Sequence, residues 1–341
     1  MIYGNGYPVI VSDRAISDRQ LSGKVILPTT GKETADSTSV TEFRVKTLII
    51  KEILCVAFAG LVSEIESMRD EIVDFFLYRN VNKETLKKFL DQMPYSKDIS
   101  VLFALGGPEF ENNKVQVACS GQWVQDHSKE KLDIIASGSG ASKWITQFIE
   151  HENYLQSSGD RLTDCKLRTL LACVKFNSNE LHSTDQLQEG WGGGFDVIYY
   201  ENGRFHRYDE VAYSFLYATN GGVGPIKVIS INHNRYENGN AIVLNIDYHG
   251  NATYFVVPQF RNNAPVDTDN LVLKCKSSDV VTCIFIKKDD DTLATIVVLM
   301  KEWDELATPM FLATELNGTF QYVFKPSYSE MVKESLQLYF E

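Results

Sequence analysis

Between residues 45 and 93 the spacing of apolar side chains changes period, and this limits the fold more than any other feature of the chain. Residues 45–50 and 53–59 read as two apolar strands joined tightly through Lys51 and Glu52, with Gly60 ending the second. From there Leu61, Ile65, Met68, Ile72 and Phe76 fall on one helical face. Asn82 is placed to cap a second helix that turns Leu86, Phe89, Leu90 and Met93 inward, and Pro94 lies just past its end.

The order then repeats. Strands at 99–105, 114–121 and 133–136 precede a Gly138-Ser139-Gly140 turn. One helix follows presenting Ile145, Phe148 and Ile149, and another presenting Leu167, Leu170, Leu171 and Val174. A hairpin comes next, 194–200 and 204–208 around Glu201-Asn202-Gly203. Ahead of all this, 7–11 reads as a strand and 31–41 as an exposed polar loop. Paired helices between blocks of strands predict two stacked antiparallel sheets with helix layers outside, unlike the single alternation of a Rossmann fold.

A chain of 341 residues has room for two domains. The run Asn220-Gly221-Gly222-Val223-Gly224-Pro225 marks a linker, giving domains at 1–218 and 226–341 around a Gly-rich 219–225. The second domain reads as strands at 227–232, 241–248, 253–257, 271–276, 280–287, 292–299 and 320–324, closed by a helix at 329–338. Asp289, Asp290 and Asp291 read as a solvated hairpin tip.

The net charge of −12 argues against nucleic acid and anionic membranes, which call for basic patches. No apolar run approaches the roughly 20 residues of a membrane span, and the start lacks a signal-peptide pattern. Six cysteines are scattered without a CxxC pair, and Cys55, Cys119 and Cys283 fall in strand-like runs as buried free thiols. A reducing cytoplasm is expected. The six histidines show no ligand spacing, so no metal and no cofactor are expected.

Several pieces, taken in order, resemble the β-subunits of proteasomes and their bacterial relatives, within the N-terminal nucleophile (Ntn) hydrolases. Val9-Ile10-Val11-Ser12-Asp13-Arg14 resembles that family's strand ending in an aspartate. Lys46, ahead of two strands closing in Val56-Ala57-Phe58-Ala59-Gly60, resembles its lysine. Ala136-Ser137-Gly138-Ser139-Gly140 resembles its GSG turn, and Gly192-Gly193-Gly194-Phe195 its late glycine pair. The likeness covers about residues 1–215. It implies an α+β class, an Ntn-hydrolase-like αββα sandwich followed by a C-terminal β-rich domain.

In that family a Thr, Ser or Cys at the mature N-terminus attacks a carbonyl, with its own α-amino group as base. The resemblance gives Lys46 the role of the lysine beside the nucleophile and Asp13 that of its partner. Ser139 and Gly140 belong to the oxyanion turn, and Glu189 takes the place of a second acid. By residue habit alone, Asp13 also reads as a strand-end turn residue, Lys46 as a solvent-facing strand lysine and Ser139 as a plain loop residue. The run from Gly138 to Lys143 also suggests a phosphate cradle, but it lacks the full G-x-x-x-x-G-K-[ST] pattern.

No Thr, Ser or Cys heads the sequence, which opens Met1-Ile2-Tyr3. The expectation is therefore a non-catalytic oligomeric or binding subunit, with a peptide-like ligand and self-association through the helices beginning near Leu61 and Ala141. The alternative is an N-terminal Thr or Ser peptidase or amidohydrolase whose true start lies upstream of Met1.

Overall fold

The structure, a computed structural model, describes residues 2–3, 8–18, 21–93, 97–107, 110, 115–121, 124–126, 134–150, 159–208, 210–218, 226–260, 279–286, 294–298, 311–316, 319–324 and 330. Strands β1 (Ile2–Tyr3), β2 (Val9–Asp13), β3 (Ala15–Ser17), β4 (Val40–Phe43), β5 (Thr47–Ile50) and β6 (Leu54–Gly60) precede helices α1 (Val62–Leu77) and α2 (Lys83–Gln92). Then come β7 (Ile99–Leu105), β8 (Gln116–Ser120), β9 (Gln125–Asp126) and β10 (Ile134–Ala136). Helices α3 (Ala141–Glu150), α4 (Arg161–Glu180) and the short α5 (Asp185–Gln188) follow. The rest is strand: β11 (Phe195–Glu201), β12 (Arg204–Arg207), β13 (Glu210–Ala218), β14 (Ile226–Glu237), β15 (Asn240–Asp247), β16 (Ala252–Val257), β17 (Asp279–Ile286), β18 (Ala294–Val298), β19 (Phe311–Leu316) and β20 (Thr319–Phe324).

Local chemistry sets the first of these elements. Lys51 and Glu52 both take left-handed backbone, which folds β5 back onto β6. The 3.6-residue stripe of α1 buries Ile65, Met68, Ile72 and Phe76, while Leu61, which precedes the helix, is exposed. In α2 a capping box forms: the Asn82 side chain accepts from Thr85 N, and the Thr85 hydroxyl accepts from Asn82 N. The two helices cover β6 and β7, with Phe76 and Phe89 meeting Phe103 in a shared core. Full burial of each such aromatic contributes about 2 kcal/mol.

On the other face of those strands, Cys55, Ala57, Leu102 and Ala104 pack with Ile10, Ile198 and Tyr200 of β2 and β11. Beyond β2 and β11, Trp144 of α3 and Cys173 and Phe176 of α4 pack with Val9, Val197 and Phe195. Tyr213 and Phe215 of β13 join the same cluster.

The expected Ntn-hydrolase-like αββα sandwich is overturned. The described residues form five sheets, of six, six, two, two and four strands, and strands far outnumber helices. All pairings within them are antiparallel except that of β13 with β17. Helix α4 is not an outer cover, because it packs against β2 and β11 and also against β17 and β18. Its buried face accordingly includes Cys165, Thr169, Cys173 and Phe176, while Leu167 and Leu171, two of the four residues expected there, are only half-buried. β13 is hydrogen-bonded to both β14 and β17 in the order β16-β15-β14-β13-β17-β18. Strand alternation marks a strand but not its partner, so this distribution of strands was not readable in advance.

Other readings also change. Cys119 is exposed, on the edge strand β8, whereas Cys55 is buried and its thiol is pushed up to about 12 by that burial. The linker at 219–225, the strand at 271–276, the turn at 289–291, Pro94 and the body of the closing helix at 329–338 lie outside the described residues, as do the side chains of Phe148, Ile149 and Cys283. Among the described residues no helix is long and apolar enough to cross a membrane.

Candidate functional site

β2 is buried along its length and pairs with β1 on one side and β11 on the other. Its regular ladder stops at Asp13. There the next two N–H groups, of Arg14 and Ala15, both donate to Gly192 O, at 3.1 and 2.9 Å. The chain turns, leaving Asp13 at the strand end with its side chain 23% exposed.

Lys46 is fixed from both sides. Val45 is wholly buried and donates its N–H to Pro258 O, and the Lys46 carbonyl accepts from Phe58 N at 3.0 Å. The lysine side chain is only 10% exposed. It donates to both oxygens of Asp13, at 3.2 and 3.1 Å. Asp13 Oδ2 also accepts from Gly192 N at 3.3 Å. A carboxylate with these donors, largely withdrawn from water, holds its cation in one place.

The turn before α3 lies nearby. Gly138 has φ of +98°, Ala141 N donates to Gly138 O, and the Ser139 hydroxyl donates to Gly190 O at 3.0 Å. Gly140 sits against Trp191: an added Cβ there would come within 2.9 Å of the indole. The positive end of the α3 dipole lies at this turn.

Asp13, Lys46, Ser139 and Gly140 all line one cleft of about 1080 Å³. Glu189 does not join them. It is half-exposed, accepts from Trp191 Nε1 at 3.0 Å and faces Lys143 at 3.4 Å, so it steadies the tryptophan that lines the cleft. Two serines that the sequence reading missed lie in the cleft wall. Ser100 and Ser137 have buried hydroxyl oxygens with no hydrogen-bond partner among the described residues.

Behind the cleft sits a second polar system. Arg14 is fully buried and donates to Asp196 at 2.9 Å, to Asn234 at 2.7 Å and to Tyr236 at 2.7 Å. The Tyr236 hydroxyl also donates to Asp196, and Arg207 lies over the Tyr236 ring. Asn234 continues to Asn232, which reaches Asn245 and the carbonyls of Pro28 and Thr29. The alternation Asn232, Asn234, Tyr236 on a single strand was the readable signal, since period-two polar residues in an otherwise apolar strand share one face.

Glu180 had no such signal. It ends α4 and is buried, accepting from Gly193 N at 2.7 Å and from the Thr29 hydroxyl. Burial pushes its carboxyl up to about 7; the Thr29 and Gly193 bonds work against this, Asp13 adds to it and Arg14 opposes it. The glycine run at 192–194 thus passes between two carboxylates, with Gly192 N on Asp13 and Gly193 N on Glu180. All three glycines have positive φ, and a Cβ on Gly192 would meet Glu180 Oε1 at 2.3 Å.

Chemically, the cleft offers a fixed ammonium, hydroxyl groups and two indole faces, of Trp144 and Trp191. The described cleft hydroxyls that make bonds give them to carbonyls: Ser12 to Asp13 O, Thr41 to Ile16 O and Ser139 to Gly190 O. None of the three is held by a general base, so none is set up as a nucleophile. The chain matches no protein-family model and no curated protein.

Proposed function

We propose that the cleft binds a peptide-like ligand without hydrolysing it, as a non-catalytic binding subunit. The observation that carries this reading is the closed Lys46–Asp13 pair inside a cleft where, among the described residues, no hydroxyl group is seen paired with a base. Its volume stands at the upper end for small-ligand sites and suits a few peptide residues. The likeness of Asp13, Lys46 and the Ser139-Gly140 turn to the landmarks of proteasome β-subunits supports the ligand class, although the architecture departs from that family's. By the same likeness the subunits assemble through the helices beginning at Val62 and Ala141. The free, buried thiols of Cys55, Cys165 and Cys173 support a reducing, cytoplasmic setting.

A second reading has its own observation. β1 lies between β2 and β10, with Ile2 opposite Ile10 on one side and Ile135 on the other. Continuing that register ahead of Ile2 leads past Val11 and Ala136 to Ser12 and Ser137, which line the cleft. An upstream residue with a hydroxyl and a free α-amine would enter beside Lys46, as an N-terminal Thr or Ser hydrolase requires.

Incubation with a threonine- or serine-directed epoxyketone, read by intact-mass spectrometry, separates the two. The protein remains unlabelled on the first reading, and one stoichiometric adduct on this chain would sink it. An adduct seen only after a Thr-headed extension, and lost with Lys46→Ala, would establish the second.

A further inference from the structure

We infer that the cleft seats a neutral carboxamide side chain, Gln or Asn, of its peptide ligand between Ser100 and Ser137; this rests on the binding reading above and names its ligand class. Strands β6 and β7 supply one wall. Ala57 and Ala59 of β6 lie opposite Leu102 and Ser100 of β7, and all four are on the face of their sheet that lines the cleft. The turn before α3 comes from the other side. Gly138 approaches so closely that an added Cβ would lie 3.4 Å from the Ala59 Cβ, which brings the preceding Ser137 to the same end of the cleft as Ser100. The small residues Ala57, Ala59, Ala136 and Gly138 leave space in front of the two serines.

Both hydroxyls call for an occupant. Ser100 is 1% exposed, and neither its hydroxyl oxygen nor the buried one of Ser137 has a hydrogen-bond partner among the described residues. Ser100 Oγ lies beside Gly121, where an added Cβ would come within 2.5 Å of it, and a glycine has no side chain to pair with it. A buried hydroxyl left unpaired is costly, so a ligand that pairs both is favoured over one that only fills the space. Each hydroxyl donates one hydrogen bond and accepts others, and a carboxamide answers with a carbonyl oxygen and an NH2 group. An ammonium only donates, and a carboxylate only accepts. A carboxylate would also find no spare cation, because the one basic residue among the described residues lining the cleft is Lys46, which donates to Asp13. An aliphatic side chain would leave both serines unpaired.

The test uses four fluorescein-labelled hexapeptides, Ala-Ala-Gln-Ala-Ala-Ala and its Met, Glu and Lys counterparts at the third position. Their binding to the whole chain is followed by anisotropy. The Gln peptide is expected to bind at least about tenfold tighter than the near-isosteric Met peptide, because only the former pairs the serines. Ser100→Ala and Ser137→Ala should each weaken the Gln peptide by about fivefold and leave the Met peptide unchanged. Urea unfolding of the ligand-free chain gives a second readout: Ser100→Ala removes an unpaired buried hydroxyl, so its midpoint should be no lower than that of the unaltered chain. A clearly lower midpoint would show that Ser100 is already paired without ligand and overturn the inference. Equal weakening of the Gln and Met peptides by the serine variants would count as a structural effect and overturn it too. Met, Glu or Lys peptides binding as tightly as the Gln peptide would overturn the carboxamide class while leaving peptide binding intact. No binding of any of the four would overturn both.

Discussion

Asp13 and Arg14 are neighbours in sequence and end in opposite surroundings. Asp13 faces the cleft and holds Lys46; Arg14 faces the interior and is held by Asp196, Asn234 and Tyr236. Successive side chains at a strand end point to opposite sides, so one short segment contributes to both the cleft wall and a structural core. The two pairs differ in what water can do for them. If Lys46 is removed, Asp13 keeps Gly192 N and access to solvent. If Arg14 is removed, Asp196 and Asn234 lose their guanidinium where no water reaches. The inner pair should govern stability and the outer pair binding.

The hardest test of this contrast is Arg14→Met. Breaking a buried pair by deleting one partner costs about 3–5 kcal/mol when the other charge is left alone; here Arg207, at 3.7 Å, and the Tyr236 hydroxyl stay beside Asp196, which places the loss toward the lower end. Urea unfolding of Arg14→Met should show a loss of that order. A loss below about 1 kcal/mol would mean that the interior network does not carry the stability assigned to it.

Glu180 sharpens the comparison, since it reaches the cleft only through the glycine run it shares with Asp13. Its carboxyl is raised from 4.5 to about 7 in the folded protein. Below pH 4.5 it is protonated in both folded and unfolded chains and contributes in full. Between 4.5 and about 7 only the unfolded chain gives up the proton, so stability falls as pH rises and levels off above that window. The contribution lost is about 3 kcal/mol. Glu180→Gln should flatten this slope between pH 4.5 and 7 in urea titrations. An unchanged slope in the variant would remove Glu180 from the account.

What the sequence revealed follows the range of each interaction. Helices α1 and α2 were legible because their signals are local: a 3.6-residue stripe, and an Asn82 cap answered by Thr85. The Asn202-Gly203 turn was legible for the same reason, as both residues take positive φ. The distribution of strands among five sheets was not, because β13 meets β17 across more than sixty residues and alternation carries no address. Thr169 and Asn177 of α4 look like solvent-facing helix positions, yet both are buried among strands, which is why the expected outer helix layer failed. In the cleft, Asp13 and Lys46 were found through resemblance. Arg14 and Asp196 lie 182 residues apart and Thr29 and Glu180 lie 151 apart, and a single sequence does not join them.

The smallest expected stability effect belongs to Lys46→Ala, which breaks the partly solvated pair at a cost of about 1 kcal/mol, and it is also the most direct test of function. The measurement is a titration of an internally quenched, uncharged hexapeptide, with anisotropy reporting binding and dequenching reporting cleavage. The account predicts saturable binding by the unaltered chain, at least about tenfold weaker binding by Lys46→Ala, and no dequenching in either. Dequenching by the unaltered chain, or equal binding by Lys46→Ala, would contradict a non-hydrolytic cleft organised around Lys46 and Asp13.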